Sequence, residues 1–102
     1  MAILHTVNKS PHEKNSLESC LRYAKEGSAV LLIEDGVYAA LKDSAFADDL
    51  TDVVGKIALF CLGPDLKARG FSSAKVIEGV ALVDYEGFVD LTVEYDKVQA
   101  WL

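Results

Sequence analysis

A chain of 102 residues has room for one domain spanning 1–102 and none for a second. Hydrophobic residues make up 51% of it, more than so small a core encloses, so apolar side chains are expected at the surface, where a partner subunit would cover them. Ten Lys plus Arg against sixteen Asp plus Glu leave a net charge of −6, which disfavours direct binding to nucleic-acid phosphates or anionic lipid.

No apolar run approaches the roughly 18–20 residues of a membrane span. The opening Met1-Ala2-Ile3-Leu4-His5-Thr6 lacks the basic and apolar regions of a secretory signal. The two cysteines, Cys20 and Cys61, have no metal-ligand spacing. A cytoplasmic chain with reduced thiols is the expectation.

Ile3 to Val7 reads as a short strand ended by Asn8-Lys9-Ser10-Pro11. A helix is predicted from Ser16 to Glu26, capped by Asn15 or Ser16, with Asn15 and Glu18 at capping-box spacing. Its apolar positions Leu17, Cys20, Leu21 and Ala24 share one face, and Gly27 ends it. Ala29 to Ile33 is apolar throughout, the pattern of a strand buried on both sides in a parallel sheet. Asp35 is then expected to cap a helix through Val37, Tyr38, Ala40 and Leu41. The polar stretch from Lys42 to Thr51 predicts a loop and a short helix ending near Gly55.

Ile57 to Leu62 is a second fully apolar strand, stopped by Gly63-Pro64. Asp65 to Gly70 makes a short helical turn. Gly79 to Val83 reads as a fourth strand, after which Asp84 caps a helix over Tyr85 to Glu94 with Phe88, Val89 and Leu91 on its apolar side. The apolar tail Val98-Gln99-Ala100-Trp101-Leu102 is expected to dock, as a final edge strand, with Trp101 and Leu102 anchoring assembly more than the fold; the competing outcome is that Trp101 caps this chain's own core. Strands alternating with helices imply a single-domain α/β fold with a doubly wound, mainly parallel sheet of four to five strands. In such sheets functional groups gather beyond the carboxyl ends of the strands, here Asn8-Lys9-Ser10, Glu34-Asp35-Gly36, Gly63-Pro64-Asp65 and Asp84-Tyr85. A stand-alone domain binding a small anion or nucleotide at that edge is the alternative to a complex subunit, and the lack of a Gly-rich phosphate loop weighs against it.

No nucleotide loop, nucleophile elbow or zinc spacing is present, so no cofactor or metal is expected. His5 lies within a strand, where a packed, hydrogen-bonded imidazole is the expectation; His12 lies in a loop as a solvated side chain. Glu34-Asp35 sits at the functional edge, while Asp48-Asp49 reads as a solvated face or helix start. Cys20 has two readings. It is a small core side chain on the buried face of its helix, or a reactive thiol, which requires exposure and a nearby positive field. Cys61 lies in so apolar a strand that burial suppresses its thiolate.

The stretch Ile3-Leu4-His5-Thr6-Val7-Asn8-Lys9-Ser10-Pro11 resembles the opening of the DsrH/TusB family. The resemblance continues through Leu31 to Leu41, Asp65 to Gly70, Val83 to Thr92 and Ala100-Trp101, in order and over nearly the whole chain. It implies a DsrE/DsrF/DsrH-like fold and the smallest subunit of a cytoplasmic α2β2γ2 hexamer with DsrE/TusD-like and DsrF/TusC-like partners. Such complexes relay sulfur as cysteine persulfide to a DsrC/TusE-like carrier, for sulfur oxidation or for 2-thiolation of the transfer-RNA wobble uridine. The chain would be at most a sulfurtransferase subunit, because the resemblance puts the principal sulfur-carrying cysteine on the DsrE/TusD partner. A cysteine in the first helix is a DsrH-type feature, so Cys20 makes sulfur oxidation the favoured branch and is itself a possible persulfide carrier.

Overall fold

The structure, a computed structural model, describes residues 2–11 and 15–102, so the expectation for His12 lies outside the described residues. Five strands form one sheet: β1 (Ile3–Val7), β2 (Ala29–Leu32), β3 (Ala58–Leu62), β4 (Val80–Val83) and β5 (Lys97–Trp101). Their order is β4-β3-β2-β1-β5, and every pairing is parallel. The helices are α1 (Ser16–Tyr23), α2 (Ala47–Val53), α3 (Gly63–Ala68) and α4 (Tyr85–Glu94), with 3-10 helices at Glu34–Ala40 and Ser73–Lys75.

The strand order sorts the helices. From β1 to β4 the chain steps in one direction across the sheet, so successive crossovers pack on the same face. That face holds the larger core, where Leu17 and Cys20 of α1, Val37 of the 3-10 helix, Leu50 of α2 and Leu66 of α3 meet Val7, Val30, Leu32, Leu59 and Cys61. Each large aliphatic side chain buried there contributes about 1.5–3 kcal/mol. The connection from β4 to β5 must cross back over the whole sheet, and α4 makes it on the opposite face. Leu91, Phe88 and Tyr95 there cover Leu4, Ala29, Leu31 and Phe60. On that face the central strands are covered, while Ala81 of β4 and Val98 of β5 stay exposed at the edges.

Several expectations meet local corrections. Helix α1 ends at Tyr23 rather than Glu26, because Ala24 is already extended (ψ 135°) and the chain must descend to the start of β2. Gly27, at φ +91°, makes that reversal, and its N–H donates to the Lys56 carbonyl at 3.1 Å. Neither Asn15 nor Glu18 forms a capping box; Glu18 instead pairs with Arg22 at 2.6 Å. Asp35 caps nothing. The 3-10 helix starts two residues earlier than an Asp35 cap requires, with extended Ile33 as its N-cap, which draws Asp35 inside the first turn. Gly63-Pro64 ends β3 by opening α3, where proline's missing N–H costs nothing. Asp84 does cap α4, its Oδ1 accepting from the Gly87 N–H at 2.7 Å.

The tail forms edge strand β5 as expected, but Trp101 faces inward. Its side chain packs against this chain's own larger core, and the Ser16 hydroxyl donates to the Leu102 carbonyl at 3.1 Å. Trp101 therefore supports the fold, and removing it should lower thermal stability before it affects association. Val89 is corrected too. It lies one position around the helix from the Phe88–Leu91 face and is 60% exposed.

Candidate functional site

The carboxyl edge of the sheet is held by a polar cluster drawn from two strand ends. Gly36 is pressed so closely under β1 that a Cβ there would stand 2.1 Å from the Val7 carbonyl oxygen. That contact, with the Ile33 N–H donating to Val7 O at 3.0 Å, seats the turn after β2 against the end of β1. Glu34 adopts the left-handed region at φ +49°, and its N–H donates to Asp65 Oδ2 at 2.6 Å. Arg69, from the end of α3, donates through Nε and Nη2 to one oxygen of Asp35 at 3.0 and 2.8 Å. Its Nη1 donates to the Asp65 carbonyl at 3.1 Å. The hydrogen bond to Asp35 raises the Arg69 pKa, with burial opposing it.

This edge brings together Glu34, Asp35 and Asp65 from the predicted functional positions and adds Arg69, which no local pattern singled out. The cluster contains no nucleophile. Its chemistry is electrostatic, and because Asp35 is half exposed, water screens the ion pair. Asp84 lies at the far strand and serves as a helix cap.

The two cysteines are both in the larger core. Cys20 has no solvent exposure, and burial pushes its thiol up to about 12. Cys61 is equally enclosed; burial first, then the nearby Asp65 charge, pushes it up to about 12 as well. At neutral pH both are thiols packed as small apolar groups. Neither Arg22 nor Lys25 supplies the positive field that would oppose burial, since Arg22 is turned outward to Glu18.

An exposed apolar stripe runs along α4. Tyr85, Val89 and Val93, at i, i+4 and i+8, form an outward apolar stripe with exposures of 60%, 60% and 81%. Glu86, Asp90 and Glu94 run beside it at the same spacing, all exposed. On the same side of the sheet the edge strand exposes Val98, the register partner of Leu4. The spacing was visible in the sequence, but only the inward position of Leu91 shows which side of the helix remains open.

His5 is packed and hydrogen-bonded as expected, with Trp101 Nε1–H donating to its Nδ1 at 3.0 Å. Tyr23 meets the imidazole edge-on at 6.0 Å and the indole at 5.9 Å. Among the described residues no helix is long and apolar enough to cross a membrane.

An all-parallel five-stranded sheet, three helices on one face and one on the other, defines a small α/β domain that recurs among solved structures. The ychN protein of E. coli superposes with a TM-score of 0.84 over 98% of each chain, at 20% identity. A protein of unknown function from Methanobacterium thermoautotrophicum does so with a TM-score of 0.73 over 96% of each chain, at 18% identity. Sequence then narrows the class. The family model described as "DsrH like protein" matches residues 9–98, and the chain belongs to this DsrH-like family. Protein TusB of Pectobacterium parmentieri is 39% identical, across 97% of this chain and the full length of the relative. Protein TusB of Salmonella enteritidis PT4 shows the same identity and coverage.

Proposed function

We propose that this chain is a subunit of a sulfur-relay complex of the DsrEFH/TusBCD type, contributing a docking surface more than a nucleophile. The observation that carries the proposal is the open Tyr85/Val89/Val93 stripe on a chain of the DsrH-like family whose two thiols are buried. The stripe calls for an apolar groove, and the acidic row beside it calls for Lys or Arg on the groove's rim. DsrE/TusD-like and DsrF/TusC-like subunits in a cytoplasmic α2β2γ2 hexamer are the partners of this reading.

Persulfide relay asks little of such a subunit. The attacking thiolate takes the outer sulfur of a donor persulfide, the donor's S–S bond breaks, and the donor leaves as a thiolate with no net redox change. The nucleophile belongs on a partner, and a DsrC/TusE-like carrier receives the sulfur. Relatives named TusB, similar over their full length, support transfer-RNA wobble-uridine thiolation as the destination. Sulfur oxidation is the second reading, favoured by Cys20 in α1. In that reading Cys20 carries persulfide, and α1 must lift from the sheet on docking to expose it.

Co-expression with the two partner subunits followed by size-exclusion chromatography with light scattering tests the assembly. The Val89→Glu/Val93→Glu chain should fail to join the complex while melting within about 0.5 kcal/mol of wild type, because both sites are already solvated. A doubly substituted chain that assembles normally refutes the docking role of α4. Loading the complex from a persulfide donor and weighing each subunit tests Cys20. A sulfur adduct on this chain that Cys20→Ser abolishes supports the second reading, and an adduct confined to the partner refutes it.

A further inference from the structure

Among the described residues, two buried side-chain polar atoms lack a hydrogen-bond partner, and one of them is His5 Nε2. The protonation of that ring follows from its neighbour. An indole N–H only donates, so His5 Nδ1, which accepts from Trp101, carries no proton. The neutral imidazole must then hold its proton on Nε2. Burial favours the neutral form, since it lowers the His5 pKa below the usual value. Nε2–H is thus a buried donor, and leaving such a group without an acceptor costs about 1–3 kcal/mol.

His5 is also a wall of a cavity of about 290 Å³ at the amino edge of β1 and β5. The other walls are Ile3, Tyr23, Lys25, Ser28 and Lys97. Every polar wall can donate. Neither lysine pairs with a carboxylate among the described residues. Ser28 Oγ already accepts from the Ile3 N–H at 3.4 Å, which leaves its hydroxyl proton for a ligand. Among the described residues no carboxylate lines the space, although acids outnumber bases in the chain by sixteen to ten. The edge-on Tyr23 ring and the Trp101 bond hold the imidazole in one orientation.

We propose that this cavity binds a small inorganic oxyanion of the sulfate or phosphate class, with His5 Nε2–H, Lys25 and Lys97 donating to its oxygens. At about 290 Å³ the cavity lies just below the roughly 300–1,000 Å³ range of organic-ligand pockets, a size that suits a small anion. The donors divide the work. The lysines supply charge, and the fixed neutral histidine supplies a directional bond that requires no protonation. The site is at the opposite end of the strands from the Asp35–Arg69 cluster and does not depend on the assembly reading.

The test is a titration of the isotopically labelled full chain with sodium sulfate and sodium phosphate, read at the His5 imidazole by NMR. Ionic strength is held constant with chloride, because sulfate raises thermal stability without any site. Saturable shifts of the His5 Nε2 resonance are expected. Lys25→Ala and Lys97→Ala should each weaken binding about tenfold, the loss of one charge-assisted hydrogen bond. Both positions are exposed, so these variants keep the fold, and exposed Lys67→Ala in α3 should leave binding unchanged. Shifts that stay linear and match those in chloride overturn the proposal and assign the Nε2–H to a buried water. Saturable binding that both lysine variants retain overturns it equally.

Discussion

The Trp101→Phe substitution is the sharpest probe of the packing beneath the C-terminal strand. It keeps an aromatic ring where the indole sits but deletes the one N–H that satisfies His5 Nδ1 at 3.0 Å. His5 is 1% exposed, so water does not replace the lost donor without rearrangement. An orphaned buried acceptor costs about 1–3 kcal/mol, and the smaller ring gives up part of its contact with Tyr23 and α1. About 2 kcal/mol is therefore expected, or a fall in Tm of about 10 °C for a domain of this size.

A pH series adds a signature that cavity formation alone does not produce. Burial lowers the His5 pKa, so the unfolded chain binds more protons than the folded one below the ordinary histidine value of 6.5. Wild-type stability should fall as pH drops through 6.5, because charging His5 means both burying a cation and turning Nδ1–H against the indole N–H. In the variant the second penalty is gone. The stability difference between the two proteins should therefore shrink from pH 7.5 to pH 5.5. Thermal unfolding by circular dichroism at several pH values measures both effects. A variant as stable as wild type at pH 7.5, or a difference that widens in acid, refutes the assigned hydrogen bond and tautomer.

Two further outcomes follow from the core. Gly36→Ala should cost about 3 kcal/mol or prevent folding, since its methyl would overlap the Val7 carbonyl and no flexible side chain can yield; chemical denaturation decides, and a loss under about 1 kcal/mol would mean that β1 and the 3-10 helix separate easily. Cys20 and Cys61, both held near pKa 12, should resist alkylation at pH 8 and react together once the chain unfolds in denaturant, without forming a disulfide; rapid labelling of folded Cys20 would show α1 to be loosely seated.

The sequence by itself determined the order of elements, because each local signal carried its own physics. Apolar runs at Ala29–Leu32 and Ala58–Leu62 mark strands enclosed on both sides, Asp84 marks a helix start, and Gly70 adopts positive φ where α3 ends. The DsrH/TusB resemblance was legible for the same reason, being carried by short stretches in fixed order. What only the tertiary structure decided depends on the direction in which a side chain faces once the sheet closes. Periodicity grouped Val89 with Phe88 and Leu91, but the reversal from β4 to β5 sets α4 alone on the second face and turns Val89 outward. Asp35 had the chemistry of a cap, yet Gly36's contact with β1 fixes the turn so that its carboxylate meets Arg69, 34 residues on. Trp101 lies 96 residues from His5, and only the parallel pairing of the last strand with the first brings the indole to the imidazole. Interactions within about a helical turn are written in local spacing; those across the sheet exist only once strand order and register are set.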